Sequence, residues 1–188
     1  LMASTNIDRI VTFYKIANTT KRLFLLDTYT GQITATIGGN IPNPRTFSNV
    51  RIFLTNQDKY EILKNYPQNK IGKNEIADSN FMMCIRSSMK QYLENRSKEF
   101  SFEGCVLFYS MWEGYKKQEN MKEFLKFMEE KGVKTISLHT SGHADEKDFD
   151  KLIKKVEPKI IIPVHTENSE WFKRYENCEV ICDKNIIK

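Results

Sequence analysis

All three histidines of the chain fall in one stretch near its C-terminal end: His139, His143 and His165. Imidazole changes protonation near neutral pH and ligates divalent metals, so two of them brought to one crevice would make a metal or proton-transfer centre. His143 lies in the turn Thr140-Ser141-Gly142-His143-Ala144-Asp145, and His165 in Pro163-Val164-His165-Thr166-Glu167. Each turn follows an apolar run. Gly142 permits backbone conformations that a side chain forbids and lets a ligand approach closely. Ser141 and the free amides at the following helix start could hold an anionic oxygen, leaving His143 to donate a proton. The plainer alternative is that Ser141 or Asp145 caps that helix and that His143 is an exposed turn residue. For His165 the plainer alternative is a hydrogen-bonded structural histidine. His139, on the strand itself, suits a structural or supporting role.

The elements that must position these turns are legible as alternating apolar runs and helical stripes. Ile7, Ile10, Val11, Tyr14 and Ala17 repeat at helical spacing. Arg22 to Asp27 reads as a buried strand, and residues 28–37 as a helical turn or a continued strand. Val50 to Thr55 is a second strand and Asp58 to Tyr66 a short helix. Phe81 to Ile85 is a third strand, followed by a helix from Ser88 to Lys98. Cys105 to Tyr109 is a fourth strand, and a long helix from Glu119 to Lys131 turns Met121, Phe124, Leu125 and Met128 inward before Gly132 closes it. The pattern ends with strand Thr135 to Leu138, helix Glu146 to Val156, strand Lys159 to Val164, a short helix near Ser169 to Tyr175 and a strand near Glu179 to Cys182. Strands alternating with helices predict an α/β fold with a mainly parallel sheet flanked by helices. In such sheets functional groups gather beyond the carboxyl ends of the strands. Asp27, Ser110 to Tyr115, Ser141 to Asp145 and His165 to Glu167 sit at those ends.

Composition narrows the class. With 40% hydrophobic and 28% charged residues, the 188-residue chain is that of an ordinary globular protein. Its longest apolar runs fall far short of a bilayer span, and no secretory signal opens it, so no membrane partner is expected. A net charge of +5 is compatible with a phosphate-rich partner and does not establish one. Cys84 and Cys105 lie in strand-like runs and read as buried thiols, while the C-x3-C of Cys178 and Cys182 fits no common zinc spacing. A reducing, cytoplasmic setting is expected. Gly72-Lys73 lacks the rest of a phosphate-binding loop, and Lys151, Lys154 and Lys155 read as a solvated face. Trp112 and Tyr115 read either as a stacking wall for single-stranded RNA or, the preferred reading, as packing at a domain boundary.

The segment SLHTSGHADEKDFDKLIKKVEPKIIIPVHTE, residues 137–167, resembles the C-terminal signature of the β-CASP branch of the metallo-β-lactamase superfamily. That branch includes ribonuclease J and the endonuclease of messenger-RNA 3′-end processing. VLFYSMWEGY, RIVTFYKIAN and RLFLLDTY resemble the β-CASP insert of bacterial members. The resemblance implies a β-CASP-like α/β domain over residues 1–133 and the C-terminal strands and helices of a metallo-β-lactamase fold over residues 134–188. It implies RNA or another phosphodiester as substrate, with Ser141, Gly142 and His143 at the scissile phosphate. His143 would then be the proton donor to the leaving oxygen, and His165 a ligand to one of two zinc ions.

The family's upstream His-x-His-x-Asp-His motif is absent from the 188 residues, as are a further His and a bridging Asp. A catalytic zinc needs about three protein ligands. The expectation is therefore a C-terminal portion of a larger hydrolase, in keeping with its start at Leu1, that neither holds zinc stably nor cuts by itself. The alternative is a non-catalytic module that binds RNA or a protein. Unpaired strand edges make homodimerisation a further expectation.

Overall fold

Phe24, Leu25 and Leu26 are fully buried on a strand whose alternate side chains serve two different cores. This strand, β1 (Leu23–Asp27), is central to a computed structural model that describes the chain apart from residues 56–59, 139–143, 165, 167 and 183–188 and the side chains of Tyr60 and Ile62. It is flanked in parallel by β2 (Val50–Phe53) and β3 (Phe81–Met83), with Phe24 opposite Val50 and Met82. Phe24 and Leu26 face the amphipathic helix α1 (Ile7–Thr19) through Ile10, Phe13 and Ala17. Leu25 faces α4 (Lys90–Arg96) and α5 (Glu119–Glu130) through Tyr92, Leu93 and Phe124. Burial on both faces is what a parallel sheet covered by helices requires.

Residues 28–37 are helical: α2 (Thr28–Ile37) starts where the Asp27 side chain accepts the Thr30 N–H at 3.2 Å. That cap decides between helix and continued strand. A short helix α3 (Lys73–Ala77), which the sequence reading does not include, precedes β3, and the predicted helix near Asp58 is a 3-10 turn, Tyr60–Asn65. β4 (Val106–Tyr109) and β5 (Lys134–Ser137) form a second parallel pair. Residues 1 and 2 bridge the two pairings. The Leu1 amino group donates to the Phe108 carbonyl and the Leu1 carbonyl accepts from Ser110, while Met2 N–H donates to Ile85. The carboxyl ends of β2, β1, β3, β4 and β5 therefore follow one another along a common edge.

Helix α5 ends as its sequence predicts. Gly132, at φ +75°, gives its N–H to Glu129 and is followed by Val133 bonding back to Met128, the double bond that satisfies the last carbonyls of a helix. Of the predicted inward residues, Met121, Phe124 and Met128 are buried; Leu125 is only half-buried, and Phe127 takes the remaining core position against Phe102. Cys84 is buried, and burial pushes its thiol up to about 12. Cys105, predicted buried, is exposed because β4 begins only after it, at the amino edge of the sheet.

Residues Ser141–Lys188 form a second compact unit, separate from Leu1–Thr140. It contains α6 (Glu146–Val156), the two-residue strands β6 (Ile160–Ile161) and β7 (Glu179–Val180), which pair in parallel, and a 3-10 turn at Ser169–Arg174. Asp145 caps α6 by accepting the Asp148 N–H at 2.9 Å. Acidic residues in the first turn and Lys154 and Lys155 in the last complement the helix dipole. Phe149 packs edge-on against Phe172, and Arg174 lies over Trp171 while bonding Glu146 and Asp150. Leu152 and Val156 of α6, and the alternate residues Ile160, Ile162 and Val164, remain exposed.

Candidate nucleic-acid interface

Tyr109 ends β4 fully buried, and its hydroxyl donates to the Trp112 carbonyl at 2.9 Å. This bond folds the chain back as it leaves the sheet. Burial first, then the neighbouring Glu113 and Tyr115, raise the Tyr109 hydroxyl above its ordinary range, so it remains a donor near neutral pH. Lys116 bonds Ser137 Oγ at 2.9 Å, pairs with Glu113 at 2.7 Å and lies 4.6 Å from the Tyr109 ring centre. Ser110 Oγ donates to the Leu138 carbonyl at 3.2 Å. The ends of β4 and β5 are thus tied together by side chains as well as by their ladder.

These ties present two aromatic rings. Trp112 is 60% exposed and Tyr115 39% exposed, with ring centres 5.6 Å apart at 87°. Gly114 makes room for the arrangement: a Cβ there would overlap the six-membered ring of the indole. Any side chain at 114 would push Trp112 from its place. Exposed, mutually braced aromatics at a strand's carboxyl end suit base stacking, and the same surface would serve equally as a packing face at a domain boundary.

Farther along the same edge, the buried carboxylate of Asp27 (1% exposed) pairs with Arg86, which follows β3. Arg86 in turn lies over the ring of the exposed Tyr29. Asp27 stood out in the sequence as the polar end of a strand. Arg86 and Tyr29 did not, because nothing in local spacing shows that residues 27 and 86 meet.

Ser141, Gly142, His143 and His165 lie outside the described residues, as do His139 and Glu167. Among the described residues, no group of three or more His, Cys, Asp or Glu side chains could hold a metal ion. The zinc site implied by the resemblance finds no matching donor set among the described residues. Two open clefts of about 400 and 440 Å³ lie at the opposite, amino ends of the strands, one beside Gly104 and Gly132 and the other beside Lys21 and Asn49.

The match to a known family begins one residue after α5. Residues 131–176 match the Zn-dependent metallo-hydrolase RNA specificity domain. The matched segment takes in β5, the histidine turns, α6, β6 and the Ser169–Arg174 turn. It supports the relation to the metallo-β-lactamase superfamily and its β-CASP members that the same residues implied. A crystal structure of a protein of unknown function from Enterococcus faecalis V583 shares the fold: TM-score 0.68 over 97% of this chain, at 20% identity. The present chain spans 38% of that protein's length. No curated protein matches the chain. Among the described residues no helix is long and apolar enough to cross a membrane.

Proposed function

We propose that this chain is the RNA-gripping C-terminal portion of a metal-dependent phosphodiesterase of the ribonuclease J type, working in the reducing cytoplasm. The observation that carries the reading is the match of residues 131–176 to an RNA specificity domain. The exposed Trp112 and Tyr115, in the turn that follows the strand paired with the first strand of that segment, supply the stacking surface such a domain needs. In this reading Ser141 and Gly142 hold the scissile phosphate, His143 protonates the leaving oxygen, and His165 is one zinc ligand. The remaining ligands come from further polypeptide. The uncovered apolar side chains of α6 and β6 favour a larger surrounding domain, since a two-stranded sheet is not stable by itself. The absence of His-x-His-x-Asp-His from the 188 residues favours a second reading, a non-catalytic RNA-binding module.

Both readings require RNA binding, and only the first requires cutting. The 188-residue chain is expected to bind single-stranded RNA with an affinity that falls as salt rises. Trp112→Ala should weaken that binding by about 1–3 kcal/mol and leave the melting temperature unchanged, because the ring is mostly exposed. An unaltered affinity at low salt would remove the stacking surface from the account. In a longer protein carrying the upstream motif, His143→Ala should abolish most RNA cleavage; full cleavage by that variant would rule out the proton-donor role.

Self-association follows from the same incompleteness. Among the described residues β5 is the end strand of its sheet, and an unpaired edge of this kind is a template for a second copy. Light scattering of the isolated chain should show a concentration-dependent dimer. A constant monomer mass across the concentration range would speak against it.

A further inference from the structure

The ion pair at the end of β1 has a cost that packing alone does not justify. Burying Asp27 takes a carboxylate out of water, and an apolar replacement for such a pair is often neutral or stabilising. The carboxylate holds Arg86 by Nη2, and the guanidinium carbon lies 5.2 Å from the centre of the Tyr29 ring. Arg86 keeps a third of its side chain in solvent, and its Nε is buried with no partner among the described residues. Tyr29 is 50% exposed. A guanidinium is thus clamped from one side by a carboxylate and laid over the ring of a tyrosine that is half exposed.

We propose that Tyr29 and Arg86 form a second nucleotide-binding step, with a base of single-stranded RNA stacked on Tyr29 and a backbone phosphate on Arg86. The inference deepens the RNA reading above and rests on it. A fixed guanidinium loses little freedom on meeting a phosphate and offers a planar fork that matches it. A cation on one face of an aromatic ring adds to the attraction of a base on the other. The position also fits. The end of β1 is separated from the end of β4 by β3 and residues 1–2, which puts the two strand ends about 14 Å apart at ordinary strand spacing. A single strand lying along the carboxyl edge would cross both.

The experiment is fluorescence anisotropy of the 188-residue chain with a labelled, mixed-sequence single-stranded RNA of about 12 nucleotides, within the site sizes of such binders. Tyr29→Ala should lower affinity about ten-fold with unchanged melting, and Tyr29→Phe should bind like the parent because the ring face is kept. Arg86→Lys, which keeps the charge for Asp27 and loses the fork, should lose affinity several-fold. Replacing the bases by abasic sites should erase the difference between Tyr29→Ala and the parent. If Trp112→Ala weakens binding while Tyr29→Ala and Arg86→Lys do not, the second step is wrong and the RNA reading stands. Equal losses from Tyr29→Ala and Tyr29→Phe would overturn the stacking role. A parent chain that binds no RNA at low salt would remove both.

Discussion

Phe124→Ala is expected to lower the stability of the first unit by about 3–5 kcal/mol, the range for deleting a fully buried phenylalanine ring. Phe124 has no exposed surface and lies in the larger of the two cores that meet at β1, with Leu25, Leu107, Tyr109 and Tyr92. Its helix carries the Glu113–Lys117 turn and rests on β5. The ring therefore joins the sheet to the segment that presents Trp112. Methionines on both sides, Met121 and Met128, are flexible enough to fill part of the gap, which favours the lower end of the range. Domains are stable by only about 5–15 kcal/mol, so the loss is a large share of the total. Urea unfolding should show a lower midpoint with an unchanged slope. A shift below about 1 kcal/mol would mean that the ring is not where the core is.

The same helix shows how far sequence periodicity reaches. Spacing of three and four identifies α1, α5 and α6 and the inward positions 121, 124 and 128. It does not choose between Leu125 and Phe127, which flank that stripe on opposite sides; the choice is made by Phe102, a tertiary neighbour. Apolar runs announce β1 through β5 within a residue or two. The strand expected over residues 159–164 shrinks to Ile160–Ile161 because Pro163 has no N–H for a ladder and its partner, β7, is itself two residues long. The α/β class and the placing of Asp27 and of Ser110 to Tyr115 at carboxyl ends were legible because they follow from parallel strand geometry. The partnership of Asp27 with Arg86, and the exposure of Trp112, were not. Both depend on which distant strand lies alongside, and residue spacing is silent on that.

Asp27→Ala tests that hidden partnership and is expected to cost about 2–4 kcal/mol. Two losses combine. The Thr30 N–H loses its acceptor at the start of α2, worth about 1 kcal/mol for a cap. Arg86 is left beside an apolar wall without its counter-charge; breaking a buried pair costs about 3–5 kcal/mol, here discounted because a third of Arg86 is solvated. Asp27→Asn separates the two contributions: asparagine still caps the helix and no longer neutralises the guanidinium, so it should recover about 1 kcal/mol relative to alanine. Arg86→Met should also destabilise, since it strands a carboxylate that is almost entirely buried. The double change, Asp27→Asn with Arg86→Met, should be milder than the sum of its parts, because neither charge is then left alone. Simple additivity in that cycle would mean that the two groups do not interact. The cycle also bears on function: if the double variant is as stable as the parent, the fold does not need the pair for stability, and a guanidinium held at the mouth of the sheet is left as the reason for a carboxylate inside it.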